Sequence, residues 1–319
     1  MLRAYGGPDA LRLEPVEVGA PGPGELRVRH TAIGVNFHDA YVRSGLYRTL
    51  EPPGIPGVEA AGVVVAAGPN ALGFAPGDRI SYVTPTYGAY AEERVLPASA
   101  ALRLPPSVSD EVAAAITVKG LTACMLLTRV RRVQAGETLL IHAAAGGVGQ
   151  LLVRWAKHLG ATVIGTVGSA EKARLARECG ADHIILYREE NFVERVQALT
   201  GGRGVEAVYD SVGRDTFSGS LDCLAYCGMA VNFGQSSGAI EPFAISRLAV
   251  RSTVVTRPIV FHFLRERAAL EAMARETFDA LEAGIIKPHT VLRLPLAQAA
   301  DAHRAMESRS LSGAIILIP

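Results

Sequence analysis

The stretch from residue 139 to residue 159 constrains the fold more than any other part of the sequence. Leu139-Leu140-Ile141-His142 predicts a short buried strand, and residues 148–159 have the apolar periodicity of a helix. The turn between them is Ala143-Ala144-Ala145-Gly146-Gly147-Val148-Gly149. Such a strand–turn–helix unit is typical of sites that bind a dinucleotide pyrophosphate, because backbone N–H groups at the helix N-terminus approach the phosphates where side chains would collide.

The turn has the pattern A-x-G-x-x-G, with Ala144 in place of the usual first glycine. We expect Gly146 to permit the close approach of a pyrophosphate and Gly149 to let the helix pack against the sheet. Ala144 is compatible with this turn if its φ stays negative. A glycine-rich turn with no ligand is the alternative. The position of the turn at the first crossover of a βαβ series favours the dinucleotide site.

The 319 residues fall into regions with different residue patterns. Residues 1–120 are rich in glycine, proline and short alternating strands, which predicts an irregular β-barrel. Residues 121–257 alternate strands and helices, which predicts a doubly wound parallel sheet with helices on both faces. Residues 258–319 contain a long helix and short strands, and we expect them to complete the first domain. Residues 252–256 are a candidate edge strand, with a covered internal strand as the alternative.

The second strand of the alternating region indicates which coenzyme is bound. NAD-selective sites place an acidic residue at the end of this strand to bind the ribose diol. Here Thr162-Val163-Ile164-Gly165-Thr166-Val167 is followed by Gly168 and Ser169, and then by Lys172. A hydroxyl and an ammonium group would bind a 2′-phosphate that a carboxylate would repel. We therefore predict NADPH, although an ordinary solvated lysine remains the alternative for Lys172.

Composition narrows the function classes. Thirty-two Lys and Arg offset 31 Asp and Glu, so bulk charge does not favour a polyanion-binding protein. The four cysteines are dispersed, which fits a reducing compartment better than a disulfide scaffold. The N-terminus has no long apolar segment, and no later run reaches about 18 apolar residues without a charge. We expect a soluble, cytoplasmic protein.

The sequence resembles the quinone oxidoreductase (zeta-crystallin-like) branch of the medium-chain dehydrogenase/reductase superfamily over nearly its whole length. The motifs that carry the resemblance are Asn36-Phe37-His38-Asp39, Tyr41 to Tyr47, Gly57 to Gly62, Lys119 to Thr122, Ala143 to Gly149, Asp210 to Gly213, and Glu307-Ser308-Arg309. The resemblance implies a GroES-like, β-rich substrate domain and a Rossmann NADPH-binding domain. It also implies a homodimer, since relatives commonly dimerise through the edge of the Rossmann sheet.

The resemblance also implies roles for individual residues. The pocket for nicotinamide and substrate would be lined by Asn36, Tyr41 and Tyr47, with Thr122 beside the nicotinamide. The pyrophosphate would be held by Ala145, Gly146, Gly147 and Val148. The 2′-phosphate and adenine ribose would be surrounded by Ser169, Lys172, Tyr187 and Arg309. The nicotinamide half would be faced, partly through backbone groups, by Ser211, Phe233, Gly234, Ser236, Thr256 and Arg257.

The sequence predicts no metal site. Zinc-dependent relatives carry a cysteine and a Gly-His-Glu motif, whereas this chain has Asn36-Phe37 and Gly57-Val58-Glu59 at those places. Valine cannot bind zinc, and a zinc site needs three or four N, S or O ligands at fixed spacing. Cys223 and Cys227 are the only close cysteine pair, on an apparent helix.

Without zinc to polarise an alcohol oxygen, we expect a substrate that is already electrophilic. The leading hypothesis is an NADPH:quinone oxidoreductase, in which Tyr47 is a candidate proton donor because an unperturbed phenol is protonated at neutral pH. One alternative is an NADPH-dependent reductase of activated alkenes, such as enones or enoyl thioesters. A second alternative is an RNA-binding or structural protein of the zeta-crystallin type. We expect neither membrane nor nucleic acid as a partner.

Overall fold

The computed structural model describes all residues from 1 to 319. Its strands are β1 Glu25–Val35, β2 Glu59–Ala67, β3 Arg79–Val83, β4 Glu93–Pro97, β5 Ala101–Arg103, β6 Thr138–Ile141, β7 Thr162–Val167, β8 His183–Leu186, β9 Val205–Asp210, β10 Leu224–Asn232, β11 Val254–Thr256, β12 Thr290–Pro295 and β13 Ala314–Ile318. Its α-helices are α1 Phe37–Ser44, α2 Asp110–Cys124, α3 Gly147–His158, α4 Ala170–Glu178, α5 Phe192–Leu199, α6 Phe217–Asp222, α7 Val260–Phe263, α8 Arg267–Glu282 and α9 Ala299–Glu307.

The chain divides into two compact units. The first unit consists of residues 1–121, 264–282 and 288–319, and the second unit consists of residues 122–263 and 283–287. The assignment of residues 1–120 and 258–319 to a substrate domain, and of residues 121–257 to a coenzyme domain, stays a prediction about function.

The first unit is built on one seven-stranded sheet. Its strands run in the order β12-β13-β1-β2-β3-β5, and β4 also pairs with β1. This order is not closed into a ring, so the expected barrel is open at β12 and β5. The long strand β1 alternates buried and more exposed residues, and its last four residues are all buried. Its inward residues pack with those of β3, β4 and β13 in a core that includes Leu26, Tyr82, Leu96 and Leu317.

The second unit contains a six-stranded parallel sheet in the order β11-β10-β9-β6-β7-β8. Counted from β6, this is the 3-2-1-4-5-6 order of dinucleotide-binding sheets. From β6 the chain adds β7 and β8 on one side of the sheet and then β9, β10 and β11 on the other, so the strand order reverses between β6 and β9. Ligands of such sheets bind at the carboxyl ends of the strands at this point. The predicted parallel α/β sheet is therefore confirmed. Strand β11 lies at the edge of the sheet, which decides between the two alternatives left open for residues 252–256.

One local prediction is wrong. Cys223 and Cys227 do not share a helix, because α6 ends at Asp222 and Cys227 lies within β10. Residues 224–226 begin β10, where Leu224 pairs with Val205 of β9. Parallel pairing across the sheet has overridden the helical pattern of this apolar segment.

The helical segment 110–130 is long and apolar enough, by length and composition alone, to cross a membrane. It consists of α2 and a π-helical continuation, Met125–Val130. The most apolar 18-residue window of this segment is 72% buried inside the protein, and a buried core helix passes the same test.

The close approach of β1 and β2 predicts a large effect for a small substitution. A Cβ at Gly62 would lie 2.2 Å from the backbone oxygen of Arg29, whereas a Cβ at Gly19 would meet nothing within 4 Å. We expect Gly62→Ala to lower the free energy of unfolding by about 1–3 kcal/mol, the usual cost of overpacking. Urea denaturation measures this difference. Gly19→Ala is the control, and equal stability of the two variants would contradict the packing.

Candidate functional site

The glycine turn after β6 is held in one conformation by backbone contacts. Gly146 is the N-cap residue of α3, and its N–H donates to the carbonyl of Ala143 at 2.8 Å. A Cβ at Gly149 would lie 2.2 Å from that same carbonyl oxygen, so only glycine fits there. The strained residue of the turn is Ala143, with a φ of 51°, while Ala144 lies outside the left-handed region. The condition on which an alanine is tolerated at position 144 is therefore met.

This turn fits a pyrophosphate. The first N–H groups of a helix have no acceptor within the helix, and the helix dipole gives them a partial positive charge. Residues 146–149 carry no long side chain over this end of α3, and the Gln150 side chain fixes the turn by donating to the Ala145 carbonyl at 2.8 Å. The predicted pyrophosphate residues, Ala145 to Val148, are thus gathered at one helix N-terminus.

A second group of predicted residues lies at the end of β7. Ser169 is the N-cap of α4, and its hydroxyl accepts from the backbone N–H of Lys172 at 3.3 Å. A Cβ at Gly168 would lie 2.8 Å from the hydroxyl of Tyr187, so the absence of a side chain at 168 lets Tyr187 approach this place. The same position lies 3.4 Å from the Arg188 guanidinium, which the sequence analysis missed. The Arg188 guanidinium and two hydroxyl groups therefore lie at the end of β7, and Lys172 follows in the first turn of α4.

The loops after β9 and β10 form a third group. Asp210 is buried, and one of its carboxylate oxygens accepts from the N–H groups of Val212 at 2.7 Å and Gly213 at 3.0 Å. A Cβ at Gly234 would lie 2.7 Å from the carbonyl oxygen of Ser211, and the Ser236 N–H donates to that oxygen at 3.2 Å. The two loops therefore lie directly against each other at the carboxyl edge of the sheet.

A cavity of about 490 Å³ adjoins this third group. The guanidinium of Arg257 donates to the side-chain oxygen of Asn232 beside it. The residues that line the cavity are Phe217, Asn232, Gln235, Ile240, Glu241, Pro242, Phe243, Val255, Thr256 and Arg257. The structure thus brings Ser211, Phe233, Gly234, Ser236, Thr256 and Arg257 to one edge of the second unit.

The two remaining predicted coenzyme residues are Thr122 and Arg309. Thr122 is partly buried in the last turn of α2 and is the first residue of the second unit. Arg309 is exposed after α9 in the first unit and has a φ of 55°.

The first unit gathers aromatic side chains around the predicted substrate residues. The rings of Tyr41 and Tyr47 are 5.0 Å apart in an edge-to-face arrangement. His38 lies 5.8 Å from Tyr47 and stacks on Tyr87, whose hydroxyl is 3.2 Å from the His38 Nε2. Burial lowers the pKa of His38 to about 4, so its imidazole is neutral at pH 7. We call His38, Tyr41, Tyr47 and Tyr87 the aromatic cluster.

The third predicted substrate residue, Asn36, is the N-cap of α1, and its amide is enclosed by a buried ion pair. The Asn36 Nδ2 donates to Glu59 Oε1 at 2.7 Å, and the Lys119 ammonium donates to Asn36 Oδ1 at 2.9 Å. The side chain of Glu59 is 0% exposed and that of Lys119 is 9% exposed. No role was predicted from the sequence for either residue. The sequence did hold a sign of this pair. Glu59 is the one charged residue of its apolar segment, and Lys119 is the one charged residue of another.

Behind Asn36 a hydrogen-bonded chain runs through the first unit. The Asp39 carboxylate accepts from the Asn36 N–H at 2.9 Å and from the Tyr90 hydroxyl at 3.1 Å. His303 Nδ1 faces the Arg43 guanidinium, which can only donate, so the His303 Nε2 carries the hydrogen and donates to Tyr90 at 2.9 Å. Burial raises the pKa of Asp39 to about 7 and lowers the pKa of His303 to about 3.

No group of three or more His, Cys, Asp or Glu side chains is arranged to hold a metal ion. Val58 is fully buried between Gly57 and Glu59.

Comparison with known proteins places both units. Residues 22–106 match the family model described as alcohol dehydrogenase GroES-like domain, and residues 147–275 match that described as zinc-binding dehydrogenase. The chain is 45% identical to a quinone oxidoreductase from Pseudomonas aeruginosa, with 99% of this chain and 98% of that protein covered. It is 44% identical to a 2-haloacrylate reductase from a Burkholderia species, with 100% and 98% covered.

Among solved structures, the Escherichia coli quinone oxidoreductase complexed with NADPH superposes with a TM-score of 0.96 at 42% identity. The superposition covers 100% of this chain and 98% of that one.

The raised pKa of Asp39 predicts a pH-dependent stability. At a pH between the ordinary pKa of 3.8 and the raised pKa of about 7, the Asp39 carboxyl is protonated in the folded protein and ionised in the unfolded chain. Asp39 therefore lowers the free energy of unfolding as the pH rises through this range. Asp39→Asn removes this effect and keeps an acceptor. We expect the stability of the variant relative to the wild type to increase by about 2 kcal/mol from pH 5 to pH 8.

Urea denaturation at the two pH values measures this difference. The exposed Asp215 provides the control, since Asp215→Asn should shift stability equally at both. Parallel pH profiles for wild type and Asp39→Asn would show that the buried carboxyl does not titrate as stated.

Proposed function

The chain belongs to the quinone oxidoreductase family of the medium-chain dehydrogenase/reductase superfamily, and we propose that it transfers reducing equivalents from NADPH to a quinone without a metal ion. The observation that carries the proposal is the cradle at the carboxyl edge of the parallel sheet. There a glycine turn at a helix N-terminus lies one strand away from the Ser169 hydroxyl and the Arg188 guanidinium at the end of β7.

The second unit would hold the coenzyme with three groups of residues. Ala145, Gly146, Gly147 and Val148 would bind the pyrophosphate through backbone N–H groups. Ser169, Lys172 and Tyr187 would bind the 2′-phosphate and ribose, and we add Arg188 to this group and keep Arg309 from the family resemblance. The nicotinamide half would contact Thr122, Ser211, Phe233, Gly234, Ser236, Thr256 and Arg257. When bound, NADPH supplies a hydride.

The aromatic cluster of the first unit suits a planar, electron-poor ring. Aromatic side chains bind such rings by stacking or edge-to-face contact, and they exclude water from the reacting face. Tyr41 and Tyr47 would contact the quinone in this way, and the phenol of Tyr47 could donate a hydrogen bond to it. Asn36 would contribute an amide donor to the same pocket.

Reduction of activated alkenes is the second candidate. The observation that favours it is the 44% identity to a protein named 2-haloacrylate reductase. Both reactions need an electrophile beside the nicotinamide and no metal-bound alkoxide, so the same site would serve either one.

We also propose that the chain forms a homodimer in the cytoplasm, through the edge of the six-stranded sheet. Strand β11 has an unpaired edge, and such edges pair readily with another strand. Large apolar side chains are exposed on and around it, with Val254 45%, Val250 76% and Ile245 81% exposed.

The first test compares substrates. Purified protein is mixed with NADPH and either a para-quinone or 2-chloroacrylate, and the loss of absorbance at the nicotinamide band is followed. We expect kcat/KM for the quinone to exceed that for the haloacrylate by at least about tenfold, a difference of about 1.4 kcal/mol in transition-state binding. Turnover of the haloacrylate alone would replace the quinone proposal with the second candidate.

The second test addresses coenzyme choice. Lys172→Ala should weaken NADPH binding by about 10–100-fold, because it removes a charge-assisted contact, and should leave NADH binding within about twofold. Isothermal titration calorimetry measures both. Lys287→Ala removes an exposed lysine from the same unit and should change neither affinity. Equal weakening of both coenzymes by Lys172→Ala would remove this lysine from the 2′-phosphate site.

A further inference from the structure

We propose that Lys119 and Glu59 are positioning residues, which orient the Asn36 amide so that one of its N–H bonds donates to the substrate oxygen that becomes negatively charged. This inference rests on the proposed function. It assigns the electrophile-activating group of the first unit to an amide held by a buried ion pair.

The contacts fix which end of the amide faces which neighbour. An ammonium group can only donate, so the Asn36 atom 2.9 Å from Lys119 Nζ must be the oxygen. An ionised carboxylate can only accept, so the atom 2.7 Å from Glu59 Oε1 must be the nitrogen. Rotating the amide by 180° would lose both hydrogen bonds and place like-signed groups together. The ion pair therefore holds a single orientation.

The ion pair is itself fixed by the backbone. The second oxygen of Glu59 accepts from the Val118 N–H at 2.7 Å, and Lys119 Nζ lies 3.5 Å from the Val35 carbonyl. A Cβ at Gly34 would lie 2.3 Å from Glu59 Oε1, so the absence of a side chain there makes room for the carboxylate. The end of β1, the start of β2 and the middle of α2 thus meet at one amide.

This arrangement leaves one donor for a ligand. The amide nitrogen carries two hydrogens, and Glu59 accepts one of them. The amide oxygen already accepts a hydrogen bond from Lys119. What Asn36 offers a ligand is therefore its second N–H. Asn36 is 8% exposed and starts the helix that carries Tyr41 of the aromatic cluster. The site therefore favours a hydrogen-bond acceptor.

A quinone under reduction is such an acceptor. It gains a hydride with its electron pair from NADPH, which becomes NADP⁺, and one oxygen carries negative charge until a proton arrives from solvent. A preorganised N–H donor stabilises that charge more than it stabilises the neutral carbonyl. The Lys119 ammonium strengthens this donor, because hydrogen bonds in series polarise one another.

The experiment compares three substitutions at Lys119 and Asn36. Asn36→Ala removes the donor and should lower kcat by about 100-fold, the lower end of the effect of deleting one such donor. Lys119→Met removes both charge and donor and should lower kcat by at least about tenfold, with KM changed less, since the effect is on the transition state. Lys119→Gln restores a neutral donor to Asn36 Oδ1 and should recover most of this loss.

A spectroscopic readout separates orientation from general damage. Infrared difference spectra of the quinone bound to the NADP⁺ complex should show its carbonyl stretch shifted to lower frequency in the wild type. Asn36→Ala and Lys119→Met should reduce this shift, whereas Lys119→Gln should keep it. Lys157→Met removes an ion-paired lysine in the second unit and is the matched control, with an unchanged shift and kcat.

Lys119→Met leaves a buried carboxylate without its cation and risks misfolding. The double variant Glu59→Gln/Lys119→Met removes both charges while its glutamine oxygen can still accept from Asn36. It should fold and retain the kcat defect, because the amide oxygen is no longer held. A folded Lys119→Met or double variant with wild-type kcat and carbonyl frequency would overturn the inference. A wild type that binds NADPH but reduces no quinone would instead overturn the proposed function.

Discussion

A charge that is buried away from water must find its partner inside the protein, and in this chain that requirement joins three distant segments. Glu59 in β2 and Lys119 in α2 are 60 residues apart, yet they share a hydrogen-bonded amide at the end of β1. Breaking one half of a buried pair typically costs about 3–5 kcal/mol. The cost makes alternative registers of β1 against β2 unfavourable, so the same contact fixes both the fold and the amide.

The second unit depends on a different constraint, which is the absence of side-chain atoms. Gly149 and Gly234 each occupy a place where a Cβ would collide with a backbone oxygen, at the turn after β6 and at the loop after β10. These glycines let backbone segments approach at the carboxyl edge of the sheet, where N–H groups are exposed for a ligand. Electrostatic pairing therefore organises the first unit, and close backbone packing organises the second.

The sequence signals that succeeded were local. The strand, glycine turn and helix of residues 139–159 lie within one short segment, so spacing alone predicted their structure, and the missing acid after β7 could be read in the same way. Arg188 was missed because it reaches Gly168 only when β8 lies beside β7. The contact of His38 with Tyr87 spans 49 residues and has no local pattern. Cys223 and Cys227 were misplaced because sheet pairing, which spacing does not encode, determines their segment.

By the family resemblance, the metal-ligand positions of zinc-dependent relatives fall near Asn36-Phe37 and at Val58 in this chain, and this difference has a chemical consequence. An amide N–H can stabilise a developing oxyanion, but it cannot lower the pKa of an alcohol enough to make an alkoxide at neutral pH. The site therefore favours reduction of electrophiles over oxidation of alcohols. Quinones and carbonyl-activated alkenes both place negative charge on oxygen after hydride addition. On this proposal, one oriented amide would serve either class, and the aromatic cluster would discriminate between them by shape.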